Sequence, residues 1–193
     1  MKASKRRPCP PETCIDGVLG VVLSLPQRMP ALGAPRRLEA LFRELAKGVP
    51  SQSPEDIEDL IWSVWISHPD ADAEGTMVAA VEAMAAGALD LAKPLLEGLT
   101  DAFPDWAEAW NKRATLAFLE RNDEEALAFI ERTLSLEPRH FGAVAGFAQI
   151  CLRHDRMREA RAAFQVALGI NPHLDGLREM IQELAGCMPR TLH

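Results

Sequence analysis

The chain has 193 residues, of which 48% are hydrophobic and 25% charged, with a formal net charge of −7. That length suits one compact domain or one short repeat array, and that much apolar material excludes wholesale disorder. The acidic balance argues against general nucleic-acid binding, four cysteines exclude a disulfide-dense scaffold, and no uncharged run approaches the roughly 20 residues of a membrane span.

Residues 1–34 differ from the rest. Lys2, Lys5, Arg6 and Arg7 form a basic start, Gly17–Leu25 is apolar, and Pro26–Ala34 is polar to small. Basic, apolar, then small residues is the layout of a secretory leader, with cleavage after Gly33. The three prolines before the apolar run, Asp16 beside it and Arg28 after it suit instead a flexible tail that stays on the protein. The first reading places the mature protein in the periplasm or outside the cell, the second in the cytoplasm. Charge is uneven along the chain: residues 1–47 carry net +5, residues 50–110 net −12 and residues 139–161 net +3. These are solvated helix faces, or they steer a partner.

Two amphipathic helices come next. Arg36–Lys47 puts Leu38, Leu41, Phe42 and Leu45 on one face, and Glu55–Ser67 does the same with Ile57, Leu60, Ile61, Val64 and Trp65. Residues 35–72 therefore read as a helical hairpin, a degenerate repeat covering the N-terminal end of the helices downstream. Ser53-Pro54 with Asp56 marks a helix start.

A period of 34 then sets in. Pro104, Pro138 and Pro172 share it, as do Ala92, Ala126 and Ala160, and Leu96, Ile130 and Phe164. Coincident columns at this spacing signal an array of helix–turn–helix units. The alanines let two helices cross closely, the apolar residue four positions on lies one turn along the same face, and proline breaks the helix between units. Asp105 with Glu108, and Asn122 with Glu125, have capping-box spacing. Leu174–Ala185 closes the array with Leu177, Met180, Ile181 and Leu184 on one face; residues 175–193 are thus a capping helix and a frayed tail. The expected fold is all-α, an α-solenoid of about nine helices with no sheet.

The pattern resembles the tetratricopeptide repeat over residues 73–106, 107–140 and 141–174. The second unit fits best, with Trp110 at the aromatic site, Ala114 at the small crossing site, then Ala126 and Pro138. The third keeps Ala148, Ala160 and Pro172 but has Val144 at the aromatic site. The first keeps Ala80, Gly87, Ala92 and Pro104 but has Thr76 there. The overall order resembles small bacterial tetratricopeptide-repeat proteins of undefined function, many of them exported. The resemblance implies a concave groove lined by Met77, Val81 and Met84, then Asn111, Thr115 and Phe118, then Ala145, Gln149 and Leu152. A mostly apolar groove with methionines suits a peptide or helix of a protein partner, unless the chain's own helices fill it. The carboxylate clamp of one subfamily is missing: Met77, Val81, Gly142 and Gly146 stand at its places. Gly142 and Gly146 allow close approach of a partner, or relieve crowding with Trp110 or Phe118.

Catalytic signatures are absent: there is no GxxxxGK, HExxH, GxSxG or GxGxxG. Cys9 and Cys14 lack a second pair, and Cys151 with His154 gives two ligands, which is not a metal site. Cys151 and Cys187 could pair as a disulfide if the leader is removed. His140 and His173 follow repeat prolines and suit turn or cap roles, and Trp62, Trp65, Trp106 and Trp110 suit core packing. The expectation is a non-enzymatic interaction module with a protein partner and no cofactor or metal. The alternatives are a self-associating structural scaffold, and an exported protein that assists envelope-complex assembly.

Overall fold

A computed structural model describes residues 11–28, 36–47 and 52–187. Among these residues there are ten α-helices and no strand. They are α1 (Pro11–Ser24), α2 (Arg36–Leu45), α3 (Pro54–Ile66), α4 (Ala71–Ala85), α5 (Leu89–Ala102), α6 (Ala107–Leu119), α7 (Asp123–Leu136), α8 (Phe141–Arg153), α9 (Met157–Ile170) and α10 (Leu177–Cys187), with a 3-10 turn over Leu25–Gln27 after α1. The proposed cleavage point after Gly33 and the tail Met188–His193 lie outside the described residues.

The 34-residue period is written into the helix ends. α4, α6 and α8 stop at Ala85, Leu119 and Arg153, and α5, α7 and α9 start at Leu89, Asp123 and Met157. Each pair is joined by the same turn. Gly87, Arg121 and Asp155 have φ of 73°, 64° and 57°. The next N–H then reaches back to a carbonyl near the helix end at 2.8 Å: Ala88 to Ala83, Asn122 to Ala117, Arg156 to Cys151. This is the left-handed helix stop that glycine adopts freely and other residues adopt at a cost. Before each repeat proline, Phe103, Glu137 and Asn171 leave the helical region, with φ of −128°, −131° and −124°, in line with the bias a proline puts on the residue before it.

The repeat columns are core. Ala92, Ala126 and Ala160 are fully buried, as are Ala80 and Ala148, with Ala114 nearly so. Leu96, Ile130 and Phe164 sit beside them in the interior. α4–α5, α6–α7 and α8–α9 pack as antiparallel pairs, successive pairs stack, and α10 packs on α9. The molecule is an all-α solenoid of helix pairs.

Two placements differ from the sequence reading. First, the hairpin α2–α3 does not cover the N-terminal end. It runs along the edge where the inter-repeat turns emerge and meets three of them in succession. Trp106 Nε1 donates to the Trp65 carbonyl (2.8 Å), Arg139 pairs with Glu39 (2.9 Å), and Asn171 Nδ2 donates to Glu58 (2.9 Å). Its apolar face, with Leu38, Phe42, Leu45, Ile57, Ile61 and Trp65, closes on Phe141 at the start of α8. Burying that face there satisfies helix and turns together.

Second, the apolar run near the N-terminus forms helix α1 and packs on the array. α1 lies across α7 and α9. Ile15, Val18, Val22 and Leu25 are all buried, in one cluster with Ile130, Leu134 and Phe164. Asp16, which spoils the run as a leader, faces outward and pairs with Arg156 at 2.6 Å.

Candidate partner groove

α6 and α8 lie side by side as the first helices of consecutive repeats. Between them is a pocket of about 100 Å³. Ala114, Ala143, Ile130 and Ile150 make an apolar floor, and Asn111, Thr115, Phe118 and Gln149 stand around it. Thr115 and Gln149 are exposed at the mouth; the Thr115 hydroxyl donates to the Asn111 carbonyl at 3.1 Å and keeps its lone pairs to accept. Phe118 is held in place by Arg153, whose guanidinium lies 3.5 Å from the ring centroid and donates to the Phe118 carbonyl at 3.0 Å. Arg153 is itself fixed by Asp123 at 2.6 Å, and His154 meets the same carboxylate at 2.8 Å. His154 is therefore engaged with a carboxylate across the inter-repeat contact. Among the described residues no group of three or more His, Cys, Asp or Glu is placed to hold a metal ion.

The structure brings together four of the nine groove residues read from the sequence: Asn111, Thr115, Phe118 and Gln149. Met77 is fully buried in the first repeat. Val81 and Met84 pack half-buried against that same core, and Leu152 against the main one. Ala145 is half-buried and outside the pocket wall. The floor residues were legible only as core, because helix periodicity does not distinguish a wall facing a neighbouring helix from one facing a gap.

The chain fills one end of this groove itself. A Cβ built on Gly142 would lie 2.5 Å from Trp62 Cη2, whereas one on Gly146 meets only Ile130 at 3.9 Å. The crowding that Gly142 relieves is thus with the hairpin, not with Trp110 or Phe118. Gly142→Ala is expected to lower stability by about 1–3 kcal/mol, since the ring or the helix must shift. Gly146→Ala should be neutral or stabilising by up to about 1 kcal/mol through helix propensity. Urea denaturation of the two variants checks the contrast; equal midpoints would mean Trp62 does not rest on α8.

Beneath the Trp62 end lies a buried charged cluster. Glu108 and His140 are both fully buried, and His140 Nε2 is 2.8 Å from Glu108 Oε2. His140 Nδ1 accepts the Ala143 N–H at 3.1 Å, capping α8. One ring nitrogen accepting fixes the tautomer: Nε2 carries the proton and donates to the carboxylate. Asn111 Nδ2 donates to the same oxygen at 3.1 Å, and Lys112 pairs with the other at 2.9 Å. The His140 ring stacks on Trp65 with centroids 4.1 Å apart and 10° between planes. Burial acts to raise the Glu108 pKa, but His140 and Lys112 together hold it below the ordinary value of 4.5. The capping-box spacing of Asp105 and Glu108 is not used as such. Glu108 turns inward, and no side chain caps α6. Asn122 and Ser53 do cap, accepting from Glu125 and Asp56 N–H.

Cys151 is buried, and burial pushes its thiol up to about 12, with Glu159 adding to the shift. Reactive thiolate is therefore scarce. The side chain of Cys187, its suggested disulfide partner, lies outside the described residues. No helix among the described residues is long and apolar enough to cross a membrane.

Helix pairs repeating every 34 residues around a gap between first helices define a helical-repeat solenoid. No family model matches the chain. Over 159 residues it is 30% identical to a TPR repeat-containing protein of Rhizobium etli, a match covering 82% of this chain and 78% of that relative. The chain belongs to the tetratricopeptide-repeat family. That family is one of protein-interaction repeats and is generally non-enzymatic.

Proposed function

We propose that this protein is a non-enzymatic binding module that holds a segment of a partner protein in the groove between α6 and α8. One observation carries the reading. The pocket has an apolar floor and a rim of amide and hydroxyl side chains, with Phe118 clamped into its wall by Arg153. An apolar floor takes a side chain, and the Gln149 amide and Thr115 hydroxyl can meet the backbone of an extended segment. A volume of about 100 Å³ suits a single aliphatic side chain. The Trp62 end closes the groove on one side, so the bound segment enters from the Phe118 side.

Peptides selected from a random display library against the full chain test this. Phe118→Ala and Gln149→Ala should each weaken the best selected peptide about tenfold in fluorescence anisotropy, with far-UV circular dichroism unchanged. Leu23→Ser, remote from the groove, should leave affinity as it was. Asn111 is avoided, because it also serves the Glu108 carboxylate. Selected peptides that bind both groove variants as well as the parent would place the binding elsewhere.

A further inference from the structure

A second cleft is larger than this groove. It has a volume of about 520 Å³ and lies between the 3-10 turn after α1, α2 and α9. That size is ordinary for a small-molecule site, whereas close-packed helices leave few voids larger than a water. Leu23, Phe42, Val166 and Ile170 supply apolar walls. Leu23 is 49% exposed, one of only four large hydrophobics so open among the described residues.

The charged side chains that line the cleft are both basic. In a chain of net −7, the charged residues lining it are Arg28 and Arg139, with no acid. Arg139 is occupied, paired with Glu39 and Glu137 and lying 4.4 Å over the Phe42 ring. Arg28 has no carboxylate partner among the described residues; its Nε donates to the Ser24 hydroxyl at 3.1 Å, and its terminal nitrogens are left for a ligand. Gln165 adds an exposed amide at the same cleft.

We infer that this cleft binds a small amphipathic anion, with an acyl or similar apolar body along Leu23, Val166 and Ile170 and its carboxylate or sulfonate head at Arg28. A guanidinium pairs with such a head in two parallel hydrogen bonds. A cation would meet the Arg28 charge, which no carboxylate among the described residues offsets. The cleft is assigned to a ligand free in solution; a bilayer lipid presenting the same head is separated from it by the vesicle measurement below. The cleft shares no lining residue with the α6–α8 groove, so it stands or falls independently of the partner reading.

Dansyl-labelled undecanoic acid, titrated into the full chain, is the test. Saturable binding with one site per chain is expected, displaced by laurate and about tenfold less well by dodecanol, which lacks the charge. Arg28→Ala should weaken the probe by a similar factor. Gly169 offers a second variant that spares the core: it lines the cleft, and a Cβ there meets nothing within 4 Å. Gly169→Phe should fill the cleft and abolish binding with helicity intact. Phe118→Ala, in the other groove, should change nothing. Binding that survives Gly169→Phe, or equal displacement by laurate and dodecanol, would overturn the assignment. So would co-sedimentation with phosphatidylglycerol vesicles in the absence of monomer binding.

Discussion

Removing residues 1–34 should cost the remaining array several kcal/mol, on the order of half the stability of a small domain. The reason is what α1 covers. Ile15, Val18, Val22 and Leu25 are each at most 4% exposed, and they cover α7 and α9. Burying a side chain of this size contributes roughly 1.5–3 kcal/mol. Ordering the helix takes back part of the sum, but truncation also opens Ile130, Leu134 and Phe164 to water. Thermal and urea denaturation of the full and shortened chains give the difference. Val22→Asp in the full chain provides a check, since it drives a charge into the same contact and should reproduce most of the loss. A shortened chain that melts with the full one would mean α1 is not part of the working fold. The Arg156–Asp16 pair contributes little in comparison, because Asp16 is exposed and such pairs are worth under about 1 kcal/mol.

The second large effect is expected at the buried pair. His140→Ala should destabilise by about 2–4 kcal/mol at neutral pH, because it takes an N–H donor from a buried carboxylate that Lys112 and Asn111 must then hold alone. It also uncaps α8, a loss of roughly 1 kcal/mol that falls within that range. Glu108→Gln, which removes the charge and keeps the shape, should be milder. In the double variant the two losses should not add, and the shortfall measures the coupling.

The pH dependence comes from the depressed native pKa of Glu108. Unfolded, the group binds its proton near 4.5; folded, only at lower pH. Its contribution is therefore complete above 4.5 and is lost as the pH falls through the native value. In His140→Ala, burial dominates and the carboxyl protonates more readily. The gap in unfolding free energy between parent and variant should thus be widest near neutrality and narrow in acid. A gap that stays constant from neutral pH into acid would show that the carboxylate is not what suffers.

Much of the array could be read from the chain because its causes are local. Pro104, Pro138 and Pro172 each disfavour helix in the residue before them, and the alanine columns report how closely two helices must cross. Those columns recur at the spacing of the units they build. The turns within the pairs were only partly legible. Gly87 announces a left-handed residue, but Arg121 and Asp155 adopt the same conformation without showing it in their type. The stop is imposed there by the packing of α6 on α7 and α8 on α9.

Partners distant in sequence were not legible. Glu108 has the spacing of a local cap to Asp105, yet its partner is His140 in the next repeat, and spacing along one helix cannot reveal a side chain brought up from another. Gly142 reads as a gap for a partner until α3 arrives with Trp62. The pocket wall at Asn111, Phe118 and Gln149 could be placed from the repeat register, while Met77, at an equivalent position, turned out to be core.

The sequence by itself determined the helices, their period and their pairing, since propensity, proline and small-residue spacing act within a few turns. Only the tertiary structure decided where the two N-terminal elements go. An apolar run such as Gly17–Leu25 states that it needs burial without stating against what, and an amphipathic hairpin does the same. What placed both was unoccupied apolar surface. α7 and α9 had such a surface for α1, and the inter-repeat turns with Phe141 had one for α2 and α3.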